Sequence, residues 1–499
     1  MKSMAKAAAK TGKTKPAGQV PIEVAAVCKA LVEAGFEAYL VGGCVRDMML
    51  AREPKDWDVA TNATPPEIQN LFAETVYEND FGTVGIKNNI EGSKVGVIEV
   101  TTYRIEGKYT DKRHPDEVKF AKTIEDDLSR RDFTVNAMAM AMDGAVIDPH
   151  GGEGDLRARI IRTVGVAEER FSEDALRLMR AVRFSVQLDF EIELATRRAI
   201  EKRSRELELI AKERVRDELA KIIMTPRAAK GILSLEGLGL LKYVLPELRD
   251  GIGVGQNKHH IYTVFEHNIR SLDYTAKQDY SLVVRMAALL HDVGKPRSKG
   301  GDGPDSTFYQ HEYMGAKMAA KMLDRLRFPR EFIEDVAHLI RSHMFYYDIG
   351  VISPAGVRRF VARVGPEYID DLLKVREADR IGSGVKKAIP YRLRHMLFMI
   401  EKVKHDPLSP KMLKLNGDEI MALLGLPQSP RVGWILNALL EEVLDDPEKN
   451  IKELLTARAK ALNELSDAEL QKLFASAQEK KKDVEMEREE NIKKEFHVQ

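Results

Sequence analysis

Over roughly the first third of the chain, apolar residues gather in short β-branched runs cut off by glycines or polar turns. From about residue 153 onward they recur instead at three- and four-residue steps. The first pattern belongs to strands and the second to one face of a helix. Residues 20–147 therefore predict an α/β region, and helices continue from there almost to the end. Ala38-Tyr39-Leu40-Val41 reads as a strand ending in Gly42-Gly43, with a helix from Val45 to Ala51 behind it. Trp57-Asp58-Val59-Ala60 reads as a second strand. Thr64-Pro65-Pro66-Glu67 opens a helix, with Thr64 as cap, Pro65 in the first turn and Glu67 completing a capping box. Val95 to Tyr103 is β-branched and strand-like, whereas residues 104–118 are polar and read as a loop. Phe171 to Phe184, Leu194 to Arg203 and Arg214 to Met224 read as amphipathic helices. Pro226, Pro246, the run Gly251 to Gly255 and the loop Gly300 to Pro304 punctuate the helical part. Residues 1–19 hold Lys2, Lys6, Lys10, Lys13 and Lys15 without an acid and predict a disordered basic tail. Residues 476–499 are nearly all charged or polar and read as a solvated extension. No internal repeat is visible.

Composition narrows the class without naming a chemistry. The chain has 499 residues, enough for about three domains. It is 44% hydrophobic and 31% charged, which excludes collagen-like, mucin-like and wholly disordered readings. No stretch approaches the run of about 18 apolar residues that a spanning helix needs, and the N-terminus lacks a signal peptide's apolar core, so no membrane partner is expected. Cys28 and Cys44 make neither a disulfide framework nor a Cys-based zinc site, and they suit a cytoplasmic protein. Lys plus Arg and Asp plus Glu both total 78, so nucleic-acid binding has to rest on where the charges lie. The oligomeric state is left open.

Two groups of residues carry chemistry. Asp56 and Asp58 stand two apart on a predicted strand, so both carboxylates leave one face. Paired hard oxygens of this kind suit Mg²⁺ together with substrate phosphates. Upstream, Gly42-Gly43 lets backbone N–H groups approach a phosphate, the following helix start adds a favourable dipole, and Arg46 can fork onto a phosphate. An isolated Asp-x-Asp is usually solvated surface and an isolated Gly-Gly usually a turn; strand, Gly-Gly, helix and Asp-x-Asp together specify a metal-assisted triphosphate site. Farther on, His291-Asp292 lies on a predicted helix from Ser281 to Asp292, with His267 upstream and His311, His343 and Asp379 downstream. Nitrogen and carboxylate donors in this mix suit Zn²⁺, Mn²⁺, Ni²⁺ or Fe²⁺. A buried hydrogen-bonded pair is the usual fate of a lone His-Asp. His259, His260, His338, His395 and His405 read as structural or solvated.

Val41-Gly42-Gly43-Cys44-Val45-Arg46-Asp47, followed by Asp56-Trp57-Asp58-Val59-Ala60-Thr61, resembles the first signature of class II tRNA nucleotidyltransferases and bacterial poly(A) polymerases. Cys44 stands where that family usually has alanine. Arg130 to Ala137 resembles the family's ribose-selecting motif, Asp148-Pro149-His150-Gly151-Gly152 its hinge, Glu173-Asp174-Ala175-Leu176-Arg177 its base-selecting motif and Glu213 to Glu218 its neck motif. The resemblance is strong over residues 20–225 and looser beyond. It implies an α+β chain: a polymerase-β-like nucleotidyltransferase head, then an all-α neck, body, HD domain and helical tail. It implies CTP and ATP as substrates, tRNA as partner and addition of CCA, or its terminal A, to tRNA 3′ ends. A poly(A) polymerase is the alternative within the family, and an HD-type phosphohydrolase with a nucleotide-binding head the alternative outside it.

The implied roles follow the motifs. Asp56 and Asp58 hold Mg²⁺, with Glu99 a third catalytic carboxylate unless it is a simple salt-bridge partner. Gly42, Gly43 and Arg46 bind nucleotide phosphates. Arg131, Asp132 and Asn136 carry groups suited to a ribose 2′-hydroxyl; outside this motif Arg131-Asp132 would read as a surface ion pair. Asp174 and Arg177 serve as an amino-acid template for cytosine and adenine, and Arg180 joins the nucleotide site. The other reading of Asp174 and Arg177 is a capped helix, with Ser172 as N-cap and an internal Asp–Arg pair. Residues 103–118 resemble the family's flexible loop, which CC-only enzymes lack. His291-Asp292-Val293-Gly294-Lys295-Pro296 resembles the HD metal-phosphohydrolase superfamily. On it, His267, His291, Asp292 and Asp379 map as the minimal ligands, and His311 and His343 as the extra histidines of two-metal members. Lys411, Lys414 and Arg431 are expected to grip tRNA phosphates, or to be ordinary surface charge. The expected division is a tail over 1–19, head 20–147, hinge and neck 148–225, body 226–258, HD domain 259–400, helical tail 401–475 and extension 476–499.

Overall fold

The structure, a computed structural model, describes residues 20–79, 82–88, 95–106, 118–257, 261–349, 352–385, 388–404, 413–475 and 494. Its N-terminal region is built on strands β1 (Ala38–Val41), β2 (Asp58–Thr61), β3 (Thr75–Asn79), β4 (Thr83–Lys87), β5 (Val97–Thr102), β6 (Arg104–Glu106), β7 (Val118–Phe120), β8 (Ala139–Met140) and β9 (Val146–Ile147). Seven of them form one sheet in the order β3-β4-β5-β2-β1-β8-β9. Neighbours are antiparallel except β2 and β5, which run parallel with Asp58 opposite Glu99. β-branched and aliphatic residues drive this pairing, and Leu40, Val41, Val59, Ala60 and Val100 are buried. Helix Ile22–Glu33 buries Val24, Val27, Cys28 and Leu31. The expected capping box is present: Glu67 Oε2 accepts from the Thr64 amide and hydroxyl, both at 2.7 Å.

Beyond the sheet the chain is overwhelmingly helical, as the change of period predicts. The result is an α+β chain, a region built on a seven-stranded sheet followed by helices. Several local expectations need correcting. Asp56 is not on a strand; β2 begins at Asp58, and Asp56 sits in the bend before it. The polar stretch after Tyr103 is not all loop: β6 and β7 pair as a small ladder, because Ile105, Val118 and Phe120 suit extended backbone. Residues 107–117 of the expected flexible loop lie outside the described residues. So do the tail over 1–19, Lys411, and all of 476–499 except Lys494. His291 and Asp292 are not inside a helix either; the helix is Leu282–Leu290, with His291 capping its C-terminus.

The largest correction concerns residues 171–184. One helix was expected there, but two are found, Ala167–Glu173 and Leu176–Leu188, with Asp174 extended between them (φ −139°, ψ 106°). The Asp174 carboxylate takes the Leu176 amide at 3.0 Å. Aspartate competes in this way with the helical backbone bond and starts a new helix. Ser172 is not a cap; its hydroxyl donates to the Glu169 carbonyl in the last turn of the first helix.

The described residues divide into two compact units, one drawn from 1–343 with 374–385 and the other from 344–373 with 386–499. Within the first, Arg285 is wholly buried. It donates to the carbonyls of Tyr280, Ile223 and Thr225 and pairs with Asp279. Its guanidinium fork thereby ties helix Leu282–Leu290 to the end of helix Lys212–Ile223. The second unit has its own core of Leu415, Ile420, Ile435, Leu439, Leu455 and Leu462, among others. Among the described residues, no helix is long and apolar enough to cross a membrane.

Candidate active site

The head sheet and the helices after it enclose a cavity of about 790 Å³. Strand β1 is followed at once by Gly42, whose φ of 75° favours glycine. A side chain there would also meet Arg131 Nη1 at 2.7 Å and come within 3.6 Å of Asp58 Oδ2. The turn therefore needs glycine both for its backbone angle and for its neighbours. Gly42, Gly43, Arg46, Asp56, Asp58, Arg131, Asp132, Asn136, Asp174, Arg177 and Arg180 all line this one cavity. Glu99 is not among the lining residues; it is exposed on β5 at the register of Asp58. Burial and the nearby Asp56 push the Asp58 carboxyl up from its usual range, against the pull of Arg131. A carboxylate destabilised in this way, with a second acid beside it, suits a hard divalent cation.

The ribose-motif residues are wired together rather than surface-exposed. Asp132 pairs with Arg180 at 2.6 Å and accepts the Phe133 amide at 2.9 Å. Asn136 donates to Asp132 at 3.4 Å and accepts from Arg46 Nη1 at 2.7 Å. Burial alone would raise Asp132, but Arg180 and Arg177 outweigh it and hold the carboxyl below its usual range. The surface Arg131–Asp132 pair is thus not formed, and Arg131 bridges to Asp127 at 3.3 Å instead. Arg46 also forks onto Asp47, at 2.8 and 3.0 Å.

The base-motif residues do not pair with each other. Asp174 receives two hydrogen bonds from Arg214, at 3.2 and 2.7 Å. Arg177 pairs with Glu173 and donates to the carbonyls of Arg170 and Arg130, at 3.0 and 3.2 Å. The helix-face reading of this pair therefore fails, because the chain breaks between them. Ten Lys and Arg against six Asp and Glu line the cavity, a surplus that favours a polyanion. Arg214, Arg183 and Phe184 belong to it and were not singled out from sequence. Arg46, Arg180 and Arg183 lie 5.5, 5.3 and 4.3 Å from the Phe184 ring centre. The available signal was position: Arg183 and Phe184 lie one turn beyond Arg180, and Arg214 stands in the neck motif.

A second centre forms where helices Val264–Lys277, Leu282–Leu290, His311–Arg325, Arg330–Ser342 and Ile369–Gly382 bring their polar residues together. Gly294 allows the contact: a side chain there would strike the His311 carbonyl at 2.3 Å and the Gly315 amide at 2.6 Å. His267, His291 and Asp292 form one group able to hold a cation, and Asp292, His311 and His343 form another, all buried. Asp292 Oδ2 lies 3.2 Å from His267 Nε2, and Asp292 Oδ1 lies 3.3 Å from His311 Nε2. Asp379 Oδ1 lies 3.3 Å from His267 Nε2. With metal–ligand bonds of about 2.0–2.2 Å, donors around one ion sit about 3–3.6 Å apart, so these spacings fit. His291, His311 and His343 turn Nδ1 to the carbonyls of Ala288, Phe308 and Ile340, which aims each Nε2 inward. Burial raises Asp292, but His291 and Lys295 outweigh it and hold its carboxyl well below the usual range. Burial lowers His291, but Asp292 and Asp379 outweigh it and raise the ring to about 10. A proton thus balances buried carboxylates that a divalent cation would also satisfy.

The remaining expectations are tail cations. Lys414 is exposed. The Arg431 guanidinium is held by Asn463, Asp467 and the Leu465 carbonyl, so it clamps tail helices together rather than reaching for phosphate.

Three family models match the chain: the Poly A polymerase head domain over residues 38–162, the probable RNA and SrmB-binding site of polymerase A over 189–252, and the HD domain over 264–383. The chain is 38% identical over 418 residues to the A-adding tRNA nucleotidyltransferase of Deinococcus radiodurans, covering 81% of this chain and 91% of that one. It is 36% identical to the CC-adding tRNA nucleotidyltransferase of Thermus thermophilus, over 81% of this chain and 89% of that one. Among solved structures, the Bacillus stearothermophilus CCA-adding enzyme in complex with CTP superposes with a TM-score of 0.58 at 29% identity. That match covers 89% of this chain and 98% of that one.

Proposed function

The chain belongs to the family of tRNA nucleotidyltransferases, and on that premise we propose that it adds CCA, or the terminal A of CCA, to tRNA 3′ ends from CTP and ATP. The observation that carries this reading is the single cavity joining the Gly42-Gly43 turn, Asp56 and Asp58, Asp132 and Asn136, and Asp174 and Arg177. The basic surplus receives the triphosphate, with Arg forks suited to its oxygens. Asp132 and Asn136 offer an acceptor and a donor to the ribose. Asp174 accepts from an exocyclic amine, which cytosine and adenine carry, while Arg177 donates to a ring acceptor. The RNA 3′-oxygen forms the new bond to the α-phosphorus as the bond to pyrophosphate breaks. Asp56 and Asp58 would hold Mg²⁺, which supplies nucleophile activation and charge neutralisation when bound. The relatives named above favour tRNA over open-ended poly(A) synthesis. With tRNA as substrate and two buried unpaired cysteines, the chain suits the cytoplasm. Transcripts ending before CCA, after C and after CC, each offered single labelled nucleotides, test the reading. Incorporation of A after CC is expected, and failure on all three transcripts would refute it.

A second activity is favoured by the convergence of His267, His291, Asp292, His311, His343 and Asp379. We propose that they hold Ni²⁺, Mn²⁺, Zn²⁺ or Fe²⁺ and hydrolyse phosphoesters at RNA ends. Hydrolysis that responds to added transition metal, and that persists in Asp58→Ala, is the expected result.

A further inference from the structure

The second compact unit contains a cavity of about 690 Å³ that no activity above uses. Its size falls in the range of about 300–1,000 Å³ typical of ligand clefts. Phe345, Tyr346, Tyr347 and Phe360 line it, together with Arg359 and Arg363. Among the described residues no carboxylate lines it. The Phe345 and Phe360 rings lie 5.1 Å apart at 56°, which presents ring faces in more than one plane. Tyr347 is fixed by a hydrogen bond between its hydroxyl and His395 Nδ1. Tyr346 is 70% exposed, and its hydroxyl donates to Asp348 at 3.1 Å, which orients an aromatic ring that burial does not hold. Arg359 and Arg363 stand one turn apart on helix Pro354–Val364 and are both exposed.

Aromatic faces with cations at the rim, and no carboxylate among the described lining residues, match a π-system bearing a phosphate. Bases stack on such rings irrespective of sequence, and arginines take the backbone charge. A purely apolar peptide would gain nothing from the two guanidiniums, and an acidic peptide would leave the ring faces unused. We propose that this cavity binds an unpaired nucleotide of the RNA substrate, through base stacking on the aromatic cluster and phosphate contact with Arg359 and Arg363. This rests on tRNA being the substrate. It makes the second unit a positioning surface for RNA.

The test uses the full chain, with steady-state nucleotide addition to a tRNA transcript. Tyr346→Ala and the double variant Arg359→Ala/Arg363→Ala remove exposed side chains, so both should keep the wild-type melting temperature. Each should raise KM for tRNA by about tenfold, with kcat at saturating tRNA and KM for ATP unchanged. The arginine double variant should also flatten the dependence of tRNA affinity on salt, by roughly one to two in the log–log slope. Unchanged tRNA KM and salt slope in both variants, with wild-type activity present, overturn the pocket and leave the nucleotidyltransferase reading standing. Absence of nucleotide addition by the wild-type chain overturns that reading instead. A KM shift confined to ATP would place the effect in the head and also overturn the pocket.

Discussion

The head cavity and the histidine-rich centre both gather carboxylates, but they treat them in opposite ways. In the head, Asp47, Asp132 and Asp174 each face an arginine, Arg46, Arg180 and Arg214 respectively, and the cavity stays wide and basic. In the other centre, Asp292 is fully buried, and four imidazoles lie within 3.8 Å of its oxygens. A large anionic ligand that comes and goes needs the first arrangement, with cations already set and room to enter. An ion held between turnovers needs the second, with donors fixed in place by their own buried partners. The head is therefore built around what it receives, and the histidine centre around what it keeps.

That contrast breaks most sharply at the metal carboxylates. Asp56→Ala or Asp58→Ala should cut nucleotide addition by at least about 10³-fold, beyond the loss of one charge-stabilising donor, while tRNA binding persists. Single-turnover incorporation checks it, and near-wild-type rates would remove both acids from the reaction. Asp292→Ala should release the ions of the histidine centre, since both donor groups share that residue. The loss in metal affinity should exceed the roughly 10–100-fold seen when an outer partner of a ligand is removed. Metal analysis after reconstitution reads it, and nucleotide addition in the same variant should stay intact.

Base choice is the finer contrast within the head. Arg177→Ala and Asp174→Ala should each erode discrimination against UTP and GTP by about ten- to hundredfold in kcat/KM, the scale of a lost bidentate base contact. Arg214→Ala should erode it less, because Asp174 then keeps its acceptor but loses its clamp; Arg214→Lys should recover part. Unchanged nucleotide ratios in all of these variants would reduce the cluster to scaffolding.

The smallest expected effect is a pH dependence of stability. Asp132 has its carboxyl lowered in the folded state. Its stabilisation is therefore present above the unfolded carboxylate range, near pH 4, and disappears as pH falls through the lower folded value. Asp132→Asn should melt below wild type at pH 7, by roughly 2–4 °C for each kcal/mol lost. That gap should narrow on acidification. A gap that is constant between about pH 6 and 2 would show that Asp132 does not titrate with folding.

The sequence by itself determined the elements with local causes. The change of hydrophobic period separates sheet from helices, Thr64 and Glu67 cap their own helix, and the ordered motifs bring eleven of the expected nucleotide and metal residues into one cavity. What local pattern could not decide is where the chain breaks and which charge meets which. The apolar spacing from Phe171 to Phe184 is helical throughout, yet Asp174 interrupts it by bonding the Leu176 amide and Arg214, which is 40 residues away in sequence. Asp132 finds Arg180 rather than its neighbour Arg131, and Arg431 turns inward to Asn463 and Asp467 rather than outward to phosphate. The pairings of Asp132 and Asp174 depend on burial, because a carboxylate removed from water must find its counter-charge wherever the packing brings one. Only the tertiary structure sets that choice, and in this protein it fixes the orientation of the groups proposed to read the nucleotide.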